Sequence, residues 1–160
     1  MTTVDRLLAH PHFLALFDRI AEKERTRRFC CHGLDHALDV ARITWILSLE
    51  AARPFEKETV YLAALLHDIG RAETDADHDT ASVHIARALL ADCGAAPVRI
   101  EEISAAISCH RAKDVNIDPA TASLGELLAL ADKKSRLCFR CAAAHDCHWP
   151  EALKNHTITY

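Results

Sequence analysis

Hydrophobic positions along this chain recur at steps of three and four, and the interruptions fall at glycine and proline. Pro11 opens a segment reaching about Arg27, with Phe13, Leu16, Phe17 and Ile20 at helical spacing. Gly33 precedes a second stripe, Leu34, Leu38, Ala41, Trp45 and Leu49, which continues to about Ala52 and is stopped by Arg53-Pro54. Between Glu56 and His67, Val60, Ala63, Ala64 and His67 share one face while Leu62, Leu65 and Leu66 cover much of the rest. The second half of that helix is therefore predicted to be buried nearly all round, with Gly70 where it would end. Glu73 to Asp79 reads as an acidic loop, and Thr80 to Asp92 as a helix closed by Gly94. Pro97 opens another, with Ile100, Ile103, Ser104 and Ile107 on one face, ending near Arg111. After a loop from Asp114 to Thr121, Ser123 and Glu126 form a capping-box pattern ahead of Leu127, Leu128, Leu130 and Ala131, in a helix running to about Leu137. Cys138 to Tyr160 has no clear period and is predicted irregular, with one turn near Glu151 to Asn155. No strand-like alternation, internal repeat or low-complexity tract interrupts this pattern, so the predicted class is all-α, a compact bundle.

Composition narrows the picture. At 160 residues, half of them hydrophobic and only 4 glycine, the chain is long enough for one globular domain and too short for two ordinary ones. We therefore expect a single domain over 1–160, with 138–160 a cysteine-containing tail. A net charge of −4 argues against an extended nucleic-acid surface. The longest stretch free of Asp, Glu, Lys and Arg, Leu7 to Phe17, falls short of the roughly 20 apolar residues a membrane span needs. It is also a poor signal-peptide core, so a cytoplasmic location is expected. Seven cysteines, an odd number, do not make a complete disulfide framework; clustered thiols point to metal or redox chemistry.

The 11 histidines carry the functional signal. Three His-Asp dipeptides occur where about one is expected by chance, and only His67-Asp68 follows a long apolar helical run, Val60 to Leu66. Burying an imidazole and an acid there costs several kcal/mol unless something compensates, and a metal ion would. His36 sits beside Leu38 and Val40 on the preceding helix, and Asp132 follows Leu130-Ala131. Two imidazoles and two carboxylates on three helices suit a divalent transition metal (Fe, Mn, Co or Ni) or, less typically, Mg²⁺.

His36, then Leu65-Leu66-His67-Asp68-Ile69-Gly70-Arg71, then Leu130-Ala131-Asp132 resembles the His…His-Asp…Asp signature of the HD-domain metal-dependent phosphohydrolases. The resemblance spans about His36 to Asp132. It implies a helical bundle of HD-domain type in which His36, His67, Asp68 and Asp132 hold a metal. Some members add histidines for a second metal, and His78 and His110 look like two of those positions, with Asp68 bridging; His84 is the runner-up and reads as a helix-surface residue. Metal-bound water would be the nucleophile, with Asp68 and Arg71 at the catalytic centre. Arg71, Lys133 and Arg136 are candidates for binding the substrate's phosphate, and Arg111 is a further basic candidate. His32, one turn before His36, either faces the substrate or caps the turn at Gly33.

The tail carries Cys138-Phe139-Arg140-Cys141 and then Cys147, three thiols at metal-ligand spacing. A closed site wants four ligands; Cys30 or Cys31 is the proposed fourth, with His145 and His148 as local alternatives. Zinc or an iron–sulfur cluster fits such a site, and it would hold the tail against the core. Cys93 and Cys109 read as core residues. The segment from Ala131 to Arg136 running into these cysteines, with Trp149 after them, also resembles a small bacterial HD subgroup. The expected function is a phosphohydrolase acting on a nucleotide or similar small phosphate ester. The competing reading is a non-catalytic nucleotide-sensing or partner-binding module that keeps the metal site. No phosphate loop, Gly-x-Ser-x-Gly elbow or His-Glu-x-x-His is present.

Overall fold

The computed structural model describes residues 2–52, 54–109 and 117–160. Seven α-helices lie among them: α1 Thr3–Leu8, α2 Pro11–Glu24, α3 Leu34–Glu50, α4 Lys57–Leu66, α5 His78–Asp92, α6 Pro97–Cys109 and α7 Leu124–Lys134. A 3-10 turn, Ile69–Ala72, follows α4, and three more (Cys138–Arg140, Ala144–Asp146, Glu151–Leu153) make up the ordered part of the tail. No strand occurs among the described residues, and the class is all-α. No described helix is long and apolar enough to cross a membrane.

The apolar run before His67 becomes the middle of the molecule. Leu62 through Leu66 are all buried on α4, which packs against α3 on one side and α6 on another. α7 spans α3 and α6, and α5 lies across α6 and the 3-10 turn. Gly125, in the first turn of α7, allows that crossing: a Cβ there would meet Cys109 Cβ at 2.6 Å and Ala106 O at 2.9 Å. The Ser123–Glu126 capping box forms as the sequence indicates, each side chain bonding the other residue's backbone N–H.

Several expectations are corrected. α1 was not visible as a pattern, because six residues are too few to show a period; Thr2 and Asp5 cap it with a box of their own. α2 ends at Glu24 and not near Arg27, because the Glu24 carboxylate receives the backbone N–H of His32 and the chain turns back on it. α5 begins at His78, two residues early, and α7 ends at Lys134. The α3 stripe is rotated: the buried residues are Ala37, Val40, Ala41, Ile43, Thr44, Leu47 and Ser48, while Leu49 is exposed. Two helices press on α3, so its tight face is made of small side chains. Its hydroxyls are satisfied locally, Thr44 donating to Val40 O and Ser48 accepting from the Phe55 N–H. Cys93 is buried as expected; Cys109 is exposed at the end of α6 and is not a core residue.

Gly70 also has a different role from the expected helix stop. Gly94, with φ of 72°, makes the left-handed turn after α5. Gly70 is instead a point of contact: a Cβ there would lie 2.2 Å from His78 O and 2.5 Å from Ser82 N. Its N–H donates to Ser82 Oγ, so the start of α5 rests directly on the 3-10 turn.

Candidate metal centre

Four helix ends meet at one place. His36 lies in the first turn of α3, His67 closes α4, His78 opens α5, and Asp132 lies in the last turn of α7. Asp68 leaves the helical path after His67, with φ −111° and ψ 7°, which aims its carboxylate away from α4. His67 is fully buried and Asp68 nearly so.

The imidazoles are all held the same way. His67 Nδ1 is 2.7 Å from Ala64 O, and His78 Nδ1 is 3.0 Å from Asp75 O. A carbonyl only accepts, so each Nδ1 carries the proton and each Nε2 presents a lone pair. His36 Nδ1 faces Ser135 Oγ at 3.3 Å, and that hydroxyl already donates to Asp132 O, so it accepts from His36. His32 Nδ1 is fixed by Glu24 Oε1 at 2.6 Å. The four Nε2 atoms then face carboxylates: His36 to Asp132 Oδ1 at 3.4 Å, His78 to Asp68 Oδ1 at 3.2 Å, His67 and His32 to Asp68 Oδ2 at 3.6 and 3.7 Å. An Nε2 lone pair aimed at an acceptor oxygen is repulsive unless a cation lies between them, whether a proton, as His36 can hold toward Asp132, or a metal ion. Pinning Nδ1–H to an oxygen while Nε2 points inward is how metal-binding histidines are oriented.

The ligand atoms of His36, His67 and Asp132 all lie within 4.8 Å of one another. The residues present therefore fit a metal, and neighbouring ligands of an octahedral ion stand about 3 Å apart. The local field agrees. Burial works to raise the Asp132 carboxyl, but the His36 hydrogen bond and the His67 and His36 charges outweigh it and hold Asp132 far below the usual carboxylate range. Burial works to lower His36, and Asp132, then Asp68 and Asp35, carry it above the ordinary histidine value. The proton drawn to His36 marks a site that demands positive charge, and a metal would displace it.

This geometry coincides with a family. The HD domain family matches residues 33–137, from the turn before α3 to just past α7. The chain belongs to it. HD domains as a superfamily are metal-dependent phosphohydrolases that bind divalent metals, and the matched segment contains His36, His67 and Asp132, the group whose ligand atoms are drawn together at the helix ends. The chain is also 34% identical over 157 residues to an uncharacterized protein of Clostridium beijerinckii, covering 96% of each chain. No solved structure matches it.

Around the HD centre, Arg71 and Arg136 each sit on a carboxylate: Arg71 Nε is 3.0 Å from Asp68 Oδ2, and Arg136 Nη2 is 3.5 Å from Asp132 Oδ2. Arg71 Nη2 also reaches His78 Nε2 at 3.3 Å. Lys133 follows Asp132 on α7 and is half-buried. His78 is not the loop residue the acidic run suggests; it is buried as the first residue of α5. His84 lies on the exposed face of α5 and is not brought to the centre. His110 and Arg111 lie outside the described residues. The sequence reading passed over two supporting groups, Glu24 behind His32 and Ser135 behind His36.

Proposed function

We propose that this HD-domain protein hydrolyses a nucleotide or a similar small phosphate ester in the cytoplasm. One observation carries the reading: the Nε2 atoms of four oriented imidazoles and the oxygens of two carboxylates, Asp68 buried and Asp132 partly so, converge between two arginines. His36, His67, Asp68 and Asp132 would hold Fe, Mn, Ni, Co or Mg. A bound divalent ion supplies hydroxide at neutral pH, by lowering the pKa of its water to about 7, and polarises a phosphoryl oxygen.

The remaining steps belong to the chain. The two oxygens of Asp68 face different imidazoles, Oδ1 toward His78 and Oδ2 toward His67, so His78 would join the residues that hold metal here. Arg71 and Arg136 flank the centre with nearly buried guanidiniums that can turn from carboxylate to phosphate oxygens. Lys133, the residue after Asp132 on α7, would add positive charge for the phosphate. His32 is braced by Glu24 and turns Nε2 toward Asp68 Oδ2, where it can take or return a proton. The net charge of −4 and the compact, inward-facing cationic groups fit a small phosphorylated substrate, not a nucleic acid or a membrane.

The decisive experiment is metal content and hydrolysis of nucleoside phosphates measured in parallel on native protein and Asp68→Ala. Native protein is expected to carry one or two equivalents of metal at this centre and to turn over. The variant, folded by circular dichroism, is expected to lose both. Nucleotide binding without turnover by the metal-loaded native protein would mean a sensing module in place of the enzyme.

A further inference from the structure

The tail is short of the means that hold the rest of the molecule. From Cys138 onward, Ala143 is the one buried hydrophobic residue, while Phe139, Ile158 and Tyr160 are exposed. Its path is nonetheless set by successive turns. Cys141 N–H donates to Cys138 O, Ala144 N–H to Cys141 O, and Cys147 N–H to Ala144 O. Two 3-10 turns, Cys138–Arg140 and Ala144–Asp146, therefore fold this stretch back on itself, and Cys141 and Cys147 each close one of them.

The loop between α2 and α3 meets that stretch. Arg28 pairs with Asp146 at 2.5 Å, and the Phe29 ring stands edge-on to His148, so the residues just before Cys30 grip both neighbours of Cys147. We propose that Cys30, Cys138, Cys141 and Cys147 form a structural zinc site that fastens the C-terminal segment to the loop entering α3. This site is separate from the HD centre and does not depend on the function proposed above.

The contacts of Arg28 and Phe29 choose the fourth ligand, and the local charges agree. Burial pushes the Cys30 thiol up, Arg136 pulls it down, and the thiols of Cys138, Cys147 and Cys141 raise it again. The neighbouring Cys31 thiol senses Glu24, Arg27 and Asp35 instead, and none of the tail cysteines. Cys30 directly follows Arg28 and Phe29, which hold the two neighbours of Cys147, and is taken as the fourth ligand; the spacing Cys-x₂-Cys with two further thiols suits a closed tetrahedral set for Zn²⁺. None of the seven cysteines is in a disulfide.

Among the described residues, only His36, His67 and Asp132 are already drawn together within 4.8 Å. The four thiols are not drawn together in that way, so binding the ion and tightening the tail are one event. Four Zn–S bonds form and four thiol protons leave to solvent. The resulting anionic centre is faced by Arg136, which also reaches Asp132 and stacks 4.1 Å over Trp149. Arg136 thus ties the zinc site to the HD centre.

The test is zinc per chain on full-length protein grown with zinc and purified without chelator. Native protein, Cys31→Ser and Asp68→Ala are each expected to hold about one equivalent of zinc, the complement of a single four-thiolate site. Cys30→Ser and Cys141→Ser are expected to hold none. Because a cysteine variant can fail to fold, Co²⁺ exchanged into native protein gives an independent reading. Thiolate-to-cobalt charge-transfer bands of tetrahedral intensity are expected. Zinc that follows Cys31 instead of Cys30, iron with inorganic sulfide in place of zinc, or Co²⁺ bound without thiolate bands would each overturn the proposal. Asp68→Ala separates the two centres, since losing the HD metal leaves this zinc in place.

Discussion

The HD centre, of imidazoles and carboxylates, and the cysteine cluster, of thiols, both offer metal ligands, yet they are built in different ways. The HD centre is made by the ends of helices that are already packed, and its histidines are oriented by carbonyls, a hydroxyl and a carboxylate before any ion arrives. The cysteine cluster is made by turns with almost no buried apolar surface. The first is preorganised by the core; the second must be organised by what it binds. A preorganised site loses little entropy on metal binding, whereas the tail's ordering is part of its binding free energy. Removing metal from the HD centre should therefore leave the fold intact, and removing it from the cysteines should release the tail.

The largest effect is expected where the contrast depends on one atom. Gly70→Ala places a methyl against the backbone of α5, 2.2 Å from His78 O, and neither side is a flexible side chain that can yield. We expect a loss of about 3 kcal/mol, the upper part of the usual overpacking range, and a fall in Tm on the order of 10 °C. His78 should be displaced from Asp68 as α5 is pushed off, so metal affinity should drop with stability. Unchanged Tm and unchanged metal content would mean that helix packing does not build the centre.

A smaller effect separates orientation from ligation. Glu24→Gln keeps a hydrogen-bond acceptor for His32 but removes the charge. Burial works to raise the Glu24 carboxyl, and the His32 ring and backbone bonds overcome it, so the native group is a carboxylate. We expect turnover to fall about 10- to 100-fold, with Tm and metal content close to native. Loss of metal instead would make His32 a ligand in place of a proton carrier.

Glu24 also shows where the sequence was legible and where it was not. The run from Val60 to Leu66 announced a buried helix, so a histidine and an aspartate at its end stood out against their surroundings, and His36 and Asp132 stood out likewise beside apolar neighbours. Glu24 sits among Glu22, Lys23 and Arg25, where one more charge carries no signal. Its spacing did: it continues the Phe13, Leu16, Ile20 stripe by another four residues, onto the face that turns inward. The rotated face of α3 failed for a related reason. Alanine, threonine and serine pack most closely, and a hydrophobicity stripe gives them the least weight. The contact of Gly70 with α5 joins residues whose meeting depends on the tertiary path, which no local pattern contains.

The smallest effect addresses the tail directly. Asn155 Nδ2 donates to the carbonyls of Lys133, Lys134 and Arg136 at 2.9, 3.1 and 2.9 Å, closing the end of α7 with a residue from the tail. Asn155→Ala leaves those carbonyls short of a donor and is expected to cost about 1 kcal/mol. If the thiols are the main fastening, this variant alone should keep its zinc, and trypsin should cut the exposed Arg140 bond little faster than in native protein. Combined with Cys141→Ser, the same substitution should speed that cut by more than the two single changes together, because each fastening covers for the loss of the other. If Asn155→Ala alone frees Arg140 while the zinc stays bound, the tail is held by the hydrogen bonds at the end of α7. The contrast between a site built by packing and one built by its ion would then fail at the second site.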